Sequence, residues 1–94
     1  MTANARHVRD NTALSRYELD ADGATAFANY RRTARADIIT HTETPAALRG
    51  RGIGSELVAG ALALIRADGR KVVPACGFVA AYLRSHPEDA DLVG

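Results

Sequence analysis

Cysteine is almost missing from this 94-residue chain: Cys76 stands alone, which excludes an internal disulfide and suits a reducing compartment. Excess charge is missing too. Twelve Lys and Arg stand against eleven Asp and Glu, a net charge of +1 that gives no support for general nucleic-acid or membrane-surface binding. No apolar run approaches the roughly 20 residues of a membrane span. Met1–Arg6 carry no apolar signal region, so a cytoplasmic location is expected. His7, His41 and His86 share no metal-ligand spacing with one another or with Cys76, so no metal site is expected. Internal repeats and low-complexity segments are absent. The length suits one domain, residues 1–94 with a core from about 7 to 93, monomeric or weakly homodimeric.

Two familiar phosphate motifs are also absent. No Gly-Lys-[Ser/Thr] occurs, as a nucleoside-triphosphate loop requires, and Gly52-Ile53-Gly54 is followed by Leu57 where the dinucleotide fingerprint needs glycine. What is present is Leu48-Arg49-Gly50-Arg51-Gly52-Ile53-Gly54-Ser55, leading into Leu57, Val58, Ala61, Leu62 and Ile65 at the spacing of a helix on a core. Asp68-Gly69 supplies a turn and a glycine cap for that helix. Three glycines and two arginines thus sit where the unpaired N–H groups of a helix start point outward, at the positive end of its dipole. A phosphate-bearing ligand is the natural occupant. Arg-Gly pairs also occur in flexible RNA-binding segments, but here they lie in an ordered loop leading to a helix.

The first half reads as strands. His7 to Asp10 and Ser15 to Leu19 are predicted strands, Asp20–Gly23 a turn, and Ala24 to Arg32 and Ala36 to Glu43 two further strands. The alanines of Ala24–Tyr30 lower its strand propensity. Pro45-Ala46-Ala47 connects to the glycine loop, and Lys71–Pro74 is a short fifth strand after the helix. Phe78, Ala81, Tyr82 and Ser85 mark a second helix that Pro87 stops, and Glu88, Asp89 and Asp91 make the tail acidic. Strand, loop, helix and strand from Ala36 to Pro74 form a crossover, so its two strands should be parallel.

Arg49, Gly52 and Gly54 in the pattern Arg-x-x-Gly-x-Gly resemble the pyrophosphate-binding motif of the GNAT N-acetyltransferase superfamily. Four blocks in order strengthen the likeness: His41–Pro45, Leu48–Leu57, Pro74–Val79, and His86–Glu88 with Asp91–Val93. Together they are similar to small, single-domain GNAT-like acetyl-CoA-binding proteins. The resemblance implies a minimal α/β (α+β) GNAT-like fold, a mixed sheet of about five strands with two helices. Its first four strands would be antiparallel and its last pair parallel and splayed. It also implies acetyl-CoA or coenzyme A as co-substrate. Backbone groups of Thr42, Glu43 and Thr44 would hold the pantetheine. The amides of Arg49, Gly50, Arg51, Gly52, Ile53, Gly54 and Ser55 would hold the pyrophosphate, with Arg49 or Arg51 adding a charge-assisted contact.

Cys76 falls near the start of the last helix, which favours a thiolate, and His41 is a candidate base across the cleft. Two mechanisms are open: an acyl-enzyme on Cys76, or direct attack by an amine with His41 or water taking its proton. Each residue also has a plain reading, Cys76 as a small buried hydrophobe and His41 as a hydrogen-bonded structural histidine. Tyr82 suits the core better than a proton-donor role, and Glu43 is a strand-end carboxylate. Larger GNAT enzymes carry helices between their first two strands; here only Asn11 to Leu14 lie there. The acceptor side is therefore open, as for a protein lysine or N-terminus. The alternative function is a non-catalytic CoA-thioester-binding module, a sensor or carrier.

Overall fold

Tyr17, Leu19 and Ala21 alternate with Arg16, Glu18 and Asp20, and this period of two makes β2 (Arg16–Ala21) a strand with one face on the core. The computed structural model describes residues 7–94; Met1–Arg6, read above for a targeting signal, lie outside them. Strands β1 (Val8–Asn11), β2, β3 (Ala24–Arg32), β4 (Ala36–Glu43) and β5 (Lys71–Pro74) form one five-stranded sheet in sequence order. The first four are antiparallel, and β4 and β5 are parallel. Helix α1 (Ile53–Ala67) crosses between those two, and α2 (Gly77–Ser85) follows β5.

The turn expected at Asp20–Gly23 is shorter. Ala21 pairs with Ala24, so Asp20 and Ala21 belong to β2 and only Asp22 and Gly23 form the loop. Both have positive φ, 49° and 80°, the type I′ geometry whose twist matches the strands it joins. The alanine-rich β3 is nonetheless nine residues long. Ala26 and Ala28 are fully buried beneath α1, and small side chains there let the helix lie close, so packing overrides propensity. Gly60 extends that logic at the sheet edge, where a Cβ would fall 2.3 Å from Val8.

The predicted stripe of α1 is the buried one: Leu57, Val58, Ala61, Leu62 and Ile65, with Ile53 added. Its C-terminus closes as expected. Gly69 is left-handed, its N–H donates to Arg66 and that of Arg70 donates to Ile65, the paired bonds of a Schellman cap. On the face of the sheet opposite α1, Glu18 is almost fully enclosed by neighbouring side chains. Arg9 lies 2.6 Å and Arg16 2.5 Å from it, and Asn11 donates to it at 3.0 Å. The Arg16 guanidinium also stacks 4.3 Å from the Phe27 ring centre, so long polar side chains serve as cover on that face.

The tail does more than end α2. Pro87–Leu92 forms a 3₁₀ turn that buries Leu92, and Val93 bridges Val72 on the outer edge of β5. Arg66 holds Asp91 at 2.8 Å and Asp89 at 3.2 Å, so the acidic residues are partners of α1. Leu92→Val removes one buried methylene and should lower the unfolding free energy by about 1 kcal/mol in a urea titration.

Candidate functional site

Parallel pairing between β4 and β5 stops early. Its last paired residues are Ile39 and Pro74, and the Ala75 N–H donates to the Ile39 carbonyl at 3.0 Å. Strand β4 runs on to Glu43, paired beyond this point with β3 alone. The register slips where Asn29 faces His41 and Tyr30 faces Ile39, leaving Thr40 as an extra, bulged residue. The bulge falls where β4 loses β5 as a partner, since β5 ends at Pro74 while β4 runs on. The last residues of β4 are left without a parallel neighbour, and this opening lies beside the start of α1.

The glycine loop forms one wall of that opening. A 3₁₀ turn, Ala46–Leu48, anchors it through the buried Leu48. Gly50 and Gly52 then take left-handed conformations, φ 77° and 74°, which cost any residue with a Cβ about 1–2 kcal/mol. Gly52 precedes α1 and accepts its first helical bond from Glu56 at 3.0 Å. Gly54 is kept small for a different reason: a Cβ there would lie 3.0 Å from the Phe78 ring and 3.4 Å from the Thr44 hydroxyl, so the ring would have to give way by a few tenths of an ångström. Between Thr44, the glycines and Phe78 lies a shallow cavity of about 220 Å³, floored by Leu48 and Ile53 and reaching Ser55.

Both loop arginines are already engaged. Arg49 donates to the Thr44 carbonyl at 3.1 Å, holding the loop against the end of β4 and lining the cavity. Arg51 is paired with Asp22 of the β2–β3 turn, so its charge points out of the cavity lining. Of the ten residues expected to hold a cofactor, Thr44, Arg49, Gly50, Gly52, Ile53, Gly54 and Ser55 meet around this one cavity. Phe78 is the lining residue that the sequence reading placed in an apolar stripe. It is 44 % exposed, because it stands in the first turn of α2 on the side away from the buried Val79 and Leu83.

Just past the end of β5 stands Cys76, immediately before α2. Its partly buried sulfur lies 3.6 Å from the Thr42 hydroxyl. Burial raises the thiol pKa, but the N–H groups of Val79 and Phe78, with the Thr42 hydroxyl and N–H, outweigh it and leave the thiol more acidic than an ordinary cysteine. His41 and Glu43 form a separate pair, Nε2 to Oε1 at 2.8 Å. They stand beside Asn29 and Phe27, while Thr42 stands beside the buried Ala28. Successive side chains alternate across a strand, so the His41–Glu43 pair and the Thr42–Cys76 pair occupy opposite faces of β4. His41 and Cys76, expected across one cleft, each have another partner. Among the described residues, no group of three or more potential metal ligands gathers anywhere.

The mixed sheet ends in a parallel pair, and a glycine loop enters the helix that crosses between those two strands. The family model described as GCN5-related N-acetyl-transferase matches residues 16–92, and the chain belongs to that family. No curated protein matches the chain significantly. No helix among the described residues is long and apolar enough to cross a membrane.

Proposed function

We propose that the protein is an acetyl-CoA-dependent N-acetyltransferase whose acceptor is an amine on a macromolecule, a protein lysine or N-terminus. The end of β4–β5 pairing at Ile39 and Pro74 carries this reading, since it leaves the end of β4, with Thr42 against Cys76 and the His41–Glu43 pair, clear of β5 and next to the glycine loop. The fit to the cofactor rests on the loop: its left-handed glycines keep the amides bare, and a Cβ at Gly54 would fill the cradle. Acetyl-CoA held there supplies an activated acetyl thioester.

The amides of Gly50 to Ser55 bind the pyrophosphate, with Arg49 beside them. Arg51 joins them by exchanging Asp22 for phosphate, a charge-assisted contact of the same kind. The backbone of Thr42 to Thr44, free of β5, orients the pantetheine. On the other face, His41 accepts the proton of the attacking amine, and Glu43 orients the imidazole. The His41 and Glu43 side chains are 57 % and 44 % exposed, which favours a macromolecular acceptor that brings its own second wall. A second reading has one observation in its favour, the acidic thiol of Cys76. There the Cys76 thiolate takes the acetyl group, the CoA thiolate leaves, and the amine then displaces Cys76.

Thermal unfolding with acetyl-CoA, free CoA, dephospho-CoA and ATP tests the cofactor. At about 100 Kd a bound ligand adds roughly 2.7 kcal/mol, a rise on the order of 10 °C for a domain this small. Gly52→Glu strains the loop and places a carboxylate at the phosphate, so it should abolish that rise. No rise with any CoA species at millimolar ligand overturns the proposal. Binding without acetyl transfer to any amine would make the protein the CoA-thioester carrier or sensor instead.

A further inference from the structure

Residues directly opposite on neighbouring strands share a face of the sheet, and on the face that carries His41 they fall into rows. Asn11, Arg16, Asn29 and His41 form one row. To one side of it lies the row that ends in Phe27 and Glu43, and to the other the row of Arg31, Ile38 and Val73. The two flanking rows differ in charge. Glu43 stands in the first, beside His41, together with Glu18, whose charge Arg9 and Arg16 already neutralise. In the second, Arg31 is exposed and meets no carboxylate among the described residues. The nearby acids are taken by its neighbour Arg32, which reaches Asp10 and Asp37 on the opposite face. Ile38 and Val73 are half-buried and give the Arg31 side an apolar floor.

We propose that Arg31 selects the acceptor: an extended polypeptide that places a lysine at His41 and an Asp or Glu, two residues away, on the Arg31 guanidinium. The inference rests on the acetyltransferase reading above and names the acceptor sequence which that face would take. Diagonal neighbours on adjacent strands stand roughly 7–8 Å apart, and alternate side chains of an extended chain lie about 7 Å apart. One acceptor strand can therefore reach both groups. A free guanidinium is built to pair with a planar carboxylate through two hydrogen bonds, and the apolar floor at Ile38 suits the methylene stem of the lysine. Glu43, on the far side of His41, repels an acid placed there, so the charge pattern also sets the direction in which the acceptor lies.

Capped peptides with a single lysine, and Glu, Ala or Arg placed two residues before or after it, test this with the whole chain. In one of the two orders kcat/KM should fall from Glu to Ala to Arg by about tenfold in all, through KM, the scale of gaining one exposed ion pair and then opposing it. Arg31→Ala should level the three peptides, and Arg31→Glu should reverse their order. Arg31 is exposed, so both variants should unfold at the wild-type temperature. Fluorescence anisotropy of labelled peptides without acetyl-CoA reads the same ranking independently of transfer. Equal kcat/KM for Glu, Ala and Arg peptides in both orders, or a ranking that Arg31→Glu leaves unchanged, overturns the role of Arg31 and leaves the acetyltransferase reading standing. If no peptide is acetylated, the acetyltransferase reading falls, and the anisotropy ranking alone upholds or overturns Arg31 as the docking cation.

Discussion

Replacing Asp37 by alanine should cost about 3–5 kcal/mol of stability, a large share of the 5–15 kcal/mol that holds a domain of this size together. Asp37 is fully enclosed between β4 and α1. Arg32 donates to it at 2.7 and 2.9 Å, Tyr17 donates its hydroxyl, and Arg32 also reaches Asp10 at 2.9 Å. Tyr30 closes the group through a 2.6 Å bond to Asp10. Removing the carboxylate leaves the buried Tyr17 hydroxyl without its acceptor and takes two bonds from the Arg32 guanidinium, which keeps only Asp10 and its partial exposure to water. Urea unfolding measures the loss, and a loss below about 1 kcal/mol would mean that the network is incidental to the fold.

The same carboxyl sets a pH dependence whose sign follows from its partners. Burial pushes the Asp37 pKa up, but hydrogen bonds from Arg32 and Tyr17 outweigh it and hold it below the usual carboxylate range. Glu18, bonded to Arg16, Asn11 and Arg9, is depressed as well. A depressed folded pKa means that the unfolded chain binds the proton first. Stability is therefore fully present above the ordinary carboxylate pKa of about 4 and falls as pH drops further. Tyr30 gives the opposite edge. Its pKa is pushed up to about 12 by burial and by its bond to Asp10, so its contribution is complete below about pH 10 and lost as pH rises toward that value. Asp37→Asn should shrink the acid limb to what Glu18 contributes, and trim the alkaline one as well, because the Asp37 charge helps to raise the Tyr30 pKa.

His41→Ala is expected to reduce acetyl transfer about 10²- to 10⁴-fold, the usual worth of a positioned base, with CoA affinity unchanged. The assay follows CoA thiol released from acetyl-CoA in the presence of a lysine-rich peptide. Among the described residues His41 meets Glu43 in a 2.8 Å side-chain contact on an exposed strand end, so its removal should leave the fold intact. Glu43→Gln should lie between wild type and His41→Ala, as an orienting group does. Cys76→Ala should retain transfer within a few-fold if the amine attacks directly. The reverse pattern, full loss with Cys76→Ala and none with His41→Ala, would replace direct attack by acetyl relay through the thiol.

Much of this architecture was legible before any coordinate. The α1 stripe was legible because one helical period exposes one face, and the Gly69 cap because few residues other than glycine end a helix left-handed. The two-residue turn at Asp22-Gly23 was hidden by Asp20 and Ala21, which carry turn-like composition yet pair in β2. The 3₁₀ tail was hidden for a similar reason. Its carboxylates look solvated until Arg66, 23 and 25 residues earlier, is brought against them.

At the candidate site the division is sharper. Arg49, Gly52 and Gly54 mark a glycine loop entering a helix by sequence alone, because the bare amides of a helix start depend on local backbone chemistry and on neighbours within a few residues. That local chemistry also determined the order of strands and helices. What only the tertiary structure decided is how distant residues meet. The bulge at Thr40 shifts the alternation of β4 by one residue, sending His41 and Glu43 to one face and Thr42, with Cys76, to the other. The fold likewise brings Arg51 to Asp22 and Phe78 onto Gly54. The Gly54–Phe78, Asp22–Arg51 and Thr42–Cys76 contacts span 24, 29 and 34 positions of chain, and no periodicity within a short window encodes them.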